Sequence, residues 1–320
     1  MKTGVTSSDK PAPCVATIGF FDGVHRGHRY LIRQTQEVAA RRGVSAMVVT
    51  FSIHPRAVMQ PGFRPCLLTT CSEKEALLRE AGVARCLMMD FTPQLAQLTA
   101  REFMTLLHRK QGVEALVIGY DHRFGHGRSE GFDDYVRYGH ELGMEVCLAQ
   151  AYRLADGTEV SSSGVRRLLQ SGEVEKAACE LGYPYFLSGR VVGGHRIGRT
   201  MGYPTANLQV GDPCKLVPAV GVYAVQVEWE GVPHAGMLSI GHRPTVDNGT
   251  EQSIEVNILD FEGDLYGRQL TLTFLSRLRS EQKFASLDAL AAQLGRDEAA
   301  TRTCYARYTA DIPIHSLTTD

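Results

Sequence analysis

Two histidines three residues apart, His25 and His28, come after a glycine-spaced turn in the stretch GFFDGVHRGHRYLI (19–32). Gly19, Gly23 and Gly27 let a backbone approach a ligand closely, and Asp22 stands among them. The apolar run CVATIGF (14–20) ahead of the turn reads as a strand. The residues after the turn read as a helix from about Gly27 to Arg42, stopped by Gly43. Such a joint favours anions, because the first backbone N–H groups of a helix and its dipole point outward there. Imidazoles at that place donate hydrogen bonds to phosphate oxygens and stabilise charge that grows on phosphorus during a displacement. The alternative is that both rings merely cap or pack. A metal pair is disfavoured because no third ligand is evident.

Three further stretches carry candidate chemistry. VSSSGVR (160–166) sets Ser162 and Ser163 ahead of Arg166. Hydroxyls at a helix start beside an arginine form an anion clamp, although alone the stretch reads as a capping sequence. GGHRIGRT (193–200) nearly fits the GxxxxGK[ST] phosphate loop, with Arg199 in place of lysine. A true phosphate loop opens a helix, whereas MGYPTANL comes next here and Pro204 fits a helix interior badly, so that reading is rejected. In SIEVNIL (253–259), Ile254, Val256 and Ile258 alternate with Glu255, Asn257 and Leu259, which puts Glu255 on the face opposite the isoleucines. On spacing alone that is a surface glutamate.

The first half alternates strands and helices. Strands read at 14–20, 45–51, 86–91, 114–119 and 144–149, with helical text between them and again from Ser162 to about Gly182, with a break. This order predicts a parallel, Rossmann-like α/β sheet with crossovers, whose ligands bind at the carboxyl ends of the strands. From Tyr185 the chain becomes strand-rich, with turns such as DNGT and EGDLYG, which predicts an antiparallel β-barrel closed off by a terminal helix in SLDALAAQLGRDEAATRTCYARY. Two domains are expected, 1–183 and 184–320, as the length of 320 residues also suggests. The formal charge of −1 gives no basic footprint for duplex nucleic acid. Eight cysteines form no CxxC pair, and Cys66 and Cys71 have no companion histidines, so reduced thiols are expected rather than zinc. The start lacks the apolar core of a signal peptide and no apolar run reaches the length of a membrane span, so a cytoplasmic protein without a membrane role is expected.

HRGH is the HxGH signature of the nucleotidyltransferase superfamily, and the longer GFFDGVHRGH resembles the form found in bacterial FAD synthetases. VSSSGVR is similar to the second superfamily motif, ISSTxxR, with Ser163 where threonine is usual and Glu159 ahead of it where relatives are often basic. The resemblance implies that Gly19, Phe20, Asp22, Gly23, Gly27, Ser162, Ser163 and Arg166 surround the nucleotide and its phosphates. VIGYDHRFGHGRSEG (117–131) also resembles these synthetases, which implies a nucleotide contact at Asp121 and a flavin contact at Phe124. GRTMGYPTANL (198–208) resembles riboflavin kinases, whose marker is PTAN. That resemblance implies nucleotide binding by Gly198, Arg199 and Thr200, Mg²⁺ ligation by Thr205 and Asn207, Glu255 as the general base, and a flavin contact at Arg279. The oxygen donors suit a hard cation. GVYAV (221–225), GMLSIGHRPT (236–245), DFEGDLYG (260–267) and LRSEQKF (278–284) are typical of the same kinases.

Together these resemblances run from about Ala16 to Leu294 and imply a bifunctional enzyme. Its barrel phosphorylates riboflavin to FMN with Mg-ATP, and its N-terminal half adenylylates FMN to FAD with release of pyrophosphate. The expected partners are riboflavin, FMN and ATP; the oligomeric state is open. One rival is another nucleotidyltransferase, such as a pantetheine-phosphate or glycerol-phosphate one, which lacks a PTAN domain. The other is a flavin-binding regulatory protein with one inactive site.

Overall fold

The computed structural model describes residues 11–128, 130–193, 202–244 and 250–311. They form two compact units divided between Ser162 and Ser163.

The first unit is built on β1 (Cys14–Ile18), β2 (Ser45–Phe51), β3 (Arg85–Met89), β4 (Val113–Ile118) and β5 (Glu145–Leu148). All pair in parallel in the order β3-β2-β1-β4-β5. The crossovers are α1 (Arg26–Arg42), the short α2 (Pro55–Met59), α3 (Cys71–Glu80), the short α4 (Pro93–Ala96), α5 (Ala100–Gln111) and α6 (Phe132–Leu142). Helices cover both faces, so the central strands read as unbroken apolar runs: all five residues of β1 are buried. One core packs Ala16, Ile18, Met47 and Leu116 against Phe103, Met104 and Leu107 of α5. The other packs Val15, Ala115 and Val117 against Val38 and Ala39 of α1. The strand order reverses at β1, so the loops leaving β1 and β4 flank the switch point where α/β sheets bind ligands.

The second unit contains α7 (Ser162–Ser171), most of whose length it takes, α8 (Val174–Leu181), β6 (Phe186–Val192), β7 (Ala206–Val210), β8 (Gly221–Trp229), β9 (Val232–Pro244), β10 (Thr250–Ile258), β11 (Gln269–Arg279) and α9 (Leu287–Asp311). The strands close into an antiparallel barrel in the order β10-β7-β6-β11-β8-β9. Closure leaves no free sheet edge. Leu187, Tyr223, Val225, Leu238, Val256, Leu272 and Phe274 fill its core. Both expected architectures are therefore present, with element ends shifted by a few residues. Strand β7 is an addition to the expected set: Pro204 makes the PTAN stretch read as a turn, and the ladder begins only after it, at Ala206. Helix α8 packs on β11, where Glu175 accepts hydrogen bonds from Ser276 Oγ (2.5 Å) and Arg277 N (3.1 Å).

Candidate active sites

At the carboxyl end of β1 the chain makes a turn in which Phe21 (φ 53°), Gly23 (φ 80°) and Val24 (φ 35°) all take left-handed backbone. Only glycine does so without strain. The turn delivers His25 to the N-cap of α1, where its Nδ1 accepts the backbone N–H of His28 at 3.3 Å. That bond places the neutral ring's proton on Nε2. The two imidazoles stack at 3.6 Å between centroids and 17° between planes, and His28 meets Phe21 edge-on at 5.1 Å. A Cβ on Gly27 would lie 3.1 Å from the His25 ring, so any larger residue there presses on that ring. The arrangement is one histidine in the turn and one in the first helical turn, as the spacing predicts.

Asp22 has a different surrounding from that of an exposed ligand contact. Its side chain lies in a residue only 3% exposed, and the carboxylate accepts from Leu68 N, Thr69 N and Thr69 Oγ1 at 3.0–3.1 Å. Ser162, the first residue of α7, donates its hydroxyl to the Asp22 carbonyl at 2.9 Å. A serine has one O–H, so a phosphate contact by Ser162 requires that bond to be exchanged. Arg166 lies one helical turn further along α7, on the same side as Ser162. Ser163 is exposed. Glu159 pairs with Arg153 and accepts the Tyr120 hydroxyl at 3.1 Å.

Beside the histidine turn lies a cavity of about 450 Å³. Its wall is largely apolar, with Ile18, Phe20, Phe51, Phe91, Phe103 and Phe124 from the strand ends, the loops after them and α5, and His122, Arg123 and His126 add polar groups to it. Phe124 is mostly buried and stacks on Tyr135 at 4.2 Å, so it serves as core and cavity wall together. Burial pushes the Tyr135 phenol up. Asp121 is exposed in the turn closed by His122 N on the Gly119 carbonyl (3.0 Å).

In the barrel the register of β10 against β7 sets Glu255 opposite Asn207. Thr205, just before β7, donates its hydroxyl to Glu255 Oε2 at 3.3 Å. Asn257, two residues along the same face, donates to the Pro204 carbonyl at 2.7 Å and holds the PTAN segment in place. Ile254, Val256 and Ile258 are buried on the other face, as the alternation predicts. A cavity of about 350 Å³ opens onto Thr205, Glu255, Asn257, Tyr203, Arg279 and Phe284. A second, of about 480 Å³, is lined by Val191, Pro204, Thr205, Ile258, Phe261 and Tyr266. Thr205 therefore forms a wall of both. The Arg279 guanidinium forks onto Asp297 of α9 at 2.8–3.2 Å, with exposures of 18% and 4%, and Gln293 adds a bond to Asp297 at 2.8 Å. Tyr203 donates to Glu298 at 3.1 Å; burial, reinforced by that carboxylate, raises its phenol above the usual range. Gly198, Arg199 and Thr200 lie outside the described residues.

Sequence reasoning missed Thr69, Lys74, Tyr203 and Asp297. Only the Thr70–Glu73 capping box that starts α3 marks the region of the first two in the sequence.

Residues 7–164 match the family model described as FAD synthetase, and residues 181–305 match the one described as riboflavin kinase. The chain is 41% identical over 291 residues to the bifunctional riboflavin kinase/FMN adenylyltransferase of Escherichia coli (strain K12), covering 90% of this chain and 92% of that protein. It is 35% identical over 294 residues to the protein of that name from Listeria monocytogenes, covering 92% and 93%. A solved structure named as a macrolide-efflux protein from Streptococcus pneumoniae is 35% identical and superposes with a TM-score of 0.85, over 92% of this chain and 96% of that one. Among the described residues no helix is long and apolar enough to cross a membrane.

Proposed function

Since the chain belongs to the bifunctional riboflavin kinase/FMN adenylyltransferase family, we propose how its residues divide the two reactions. The enzyme phosphorylates riboflavin to FMN and adenylylates FMN to FAD. The reading with one inactive site is not favoured, because both domain families are present. The boundary between the two activities falls at 183/184, ahead of the barrel, and the enzyme works in the cytoplasm.

For phosphorylation, the observation that carries the reading is Thr205 standing in the wall of two cavities, with Glu255 bonded to it. Riboflavin takes the cavity of Glu255 and Arg279, and the nucleotide takes the other. Glu255 accepts the proton of the ribityl hydroxyl as its oxygen attacks the γ-phosphorus of ATP, and ADP leaves. Thr205 and Asn207 are neutral oxygen donors beside a carboxylate, a set that fits a hard cation, and they would hold Mg²⁺. Bound there, Mg²⁺ neutralises phosphate charge. Gly198, Arg199 and Thr200 belong to the same nucleotide site by their sequence alone.

For adenylylation, the carrying observation is the stacked histidine pair at the α1 N-terminus beside the aromatic cavity. FMN places its ring against Phe20 and Phe124 and its phosphate toward the turn. An FMN phosphate oxygen attacks the α-phosphorus of ATP, and the bond to pyrophosphate breaks. His25 and His28 stabilise the charge on the displaced oxygens, aided by the backbone of Gly27 and by Ser162. Gly19 and Gly23 let the chain approach the phosphates closely, while their N–H groups are spent on Val49 and Thr69. Ser163 and Arg166 belong to the same nucleotide site by their sequence alone. Asp121 contacts the nucleotide at the cavity rim.

One incubation with riboflavin, ATP and Mg²⁺, resolved by chromatography, yields FMN and then FAD. Asn207→Ala abolishes FMN formation and leaves the conversion of added FMN to FAD intact. Kinase activity persisting in that variant would remove the magnesium assignment.

A further inference from the structure

Lys74 is 2% exposed, and neither reaction uses it directly. It sits in the first turn of α3, behind the histidine turn. Its Nζ donates to the Phe20 carbonyl at 3.1 Å and the Phe51 carbonyl at 2.6 Å, and lies 4.2 Å from the centre of the Phe20 ring. These two carbonyls stand just past β1 and at the end of β2, at the sheet's carboxyl edge. Thr50 Oγ1 adds a second bond to the Phe20 carbonyl, at 3.0 Å. Burying an ammonium ion is costly, and an apolar side chain of the same length fills the space without that cost. What lysine adds is directed hydrogen bonds to chain leaving the sheet.

The same segment grips the turn at a second point. Thr69 Oγ1 accepts from Gly23 N at 3.1 Å and donates to Asp22 Oδ1 at 3.1 Å, while Leu68 N and Thr69 N bind the Asp22 carboxylate. The residues so held, Phe20, Asp22 and Gly23, flank Phe21 and run up to Val24. A phenylalanine and a valine in left-handed backbone persist only where surrounding bonds over-determine them. The stack of His25 on His28 inherits its position from that turn.

We propose that Lys74 is a positioning residue for adenylylation: with Thr69 and Asp22 it locks the strained turn that aims the two histidines. Asp22 is then part of the lock rather than a phosphate contact. Burial lowers the Lys74 ammonium from its ordinary range, while Cys71, Asp22 and Cys86 act in the opposite direction and favour the charge that the lock uses.

The bifunctional chain supplies its own control, because riboflavin phosphorylation reports on the barrel in the same sample. Lys74→Met is expected to lower kcat for FMN adenylylation about 100-fold, a loss typical of misplaced catalytic groups. The KM for FMN changes less than about fivefold, since most of the aromatic wall remains, and riboflavin phosphorylation is unchanged. Thr69→Val lowers kcat about tenfold, and Thr69→Ser, which keeps the hydroxyl, restores it. A folded Lys74→Met enzyme with wild-type kcat overturns the inference. So does a fall in kcat that goes with loss of FMN binding and of the first unit's melting transition, which marks a merely structural role. Should Lys74→Met fail to fold, the Thr69 pair decides, and wild-type kcat in Thr69→Val overturns the inference. It rests on adenylylation occurring at the histidine turn. If His28→Ala leaves FAD synthesis intact, that reading falls; if His28→Ala is inactive and Lys74→Met is not, only the lock falls.

Discussion

In the first unit the side chains proposed for chemistry leave the sheet on a turn with three left-handed residues, held by bonds to a segment some 46 residues away in sequence. In the barrel Glu255 and Asn207 project from two paired strands whose register sets them opposite each other, and Thr205, just before β7, is held by neighbouring bonds to Glu255 and from Asn257 to Pro204. Register is cooperative: moving one residue requires slipping a strand whose other face is buried. A turn has no such ladder, so its geometry depends on individual tertiary bonds. The two sites therefore differ in where they are fragile. The barrel site is sensitive to its chemical groups and tolerant of its neighbours. The turn site is sensitive to both.

The largest effect that tests this contrast is at Glu255. Glu255→Gln keeps the shape and an oxygen to accept the Thr205 hydroxyl, but removes the base. Riboflavin phosphorylation falls about 10³-fold with the melting temperature unchanged and FAD formation from FMN intact. A drop in melting temperature along with activity would mean that the carboxylate holds the register, and the contrast fails. Next is His28→Ala, which halts the chain at FMN by lowering adenylylation about 100-fold while the kinase continues. Because the N-cap bond of His25 comes from the backbone N–H of residue 28, the helix start survives the change. Undiminished FAD synthesis would take the chemistry away from this turn.

The same contrast explains what is legible in the sequence. Ile254, Val256 and Ile258 announce the core face of β10 by period-two alternation and are buried there, whereas the burial of Asn257 and Leu259 on the Glu255 face is not readable from that alternation. The histidine turn announces itself by glycines and imidazoles at a strand-to-helix joint. What holds the turn does not. Thr69 and Lys74 act on residues 46 and 54 positions away, and the stretch TTCSEKEALL reads only as a capped helix start. A lysine there reads as solvent-facing, because charge in a helix's first turn is ordinary and burial is a tertiary fact. Asp22 reads as a nucleotide contact on its neighbours' strength; its bonds to Leu68 and Thr69 depend on a loop the sequence does not place. Strand β7 is hidden behind Pro204, and its place in the barrel depends on pairing with β6 on one side and with Glu255 and Val256 of β10 on the other.

The smallest effect concerns a contact that reaches the barrel site from outside its strands. Arg279, in the wall of the Glu255 cavity, is held by Asp297 of α9, and both are largely buried. Asp297→Asn keeps the volume but presents an amide N–H₂ to Arg279 or Gln293, both of which donate. The lost charge-assisted bonds cost about 2 kcal/mol of barrel stability. With Arg279 no longer fixed, the KM for riboflavin rises about tenfold while kcat changes less than about threefold, because Glu255 keeps its register. FAD formation from added FMN is unaffected. A kcat loss as large as that of Glu255→Gln would show that the barrel site, like the turn, depends on bonds from outside its strands, and the distinction between the two halves would dissolve.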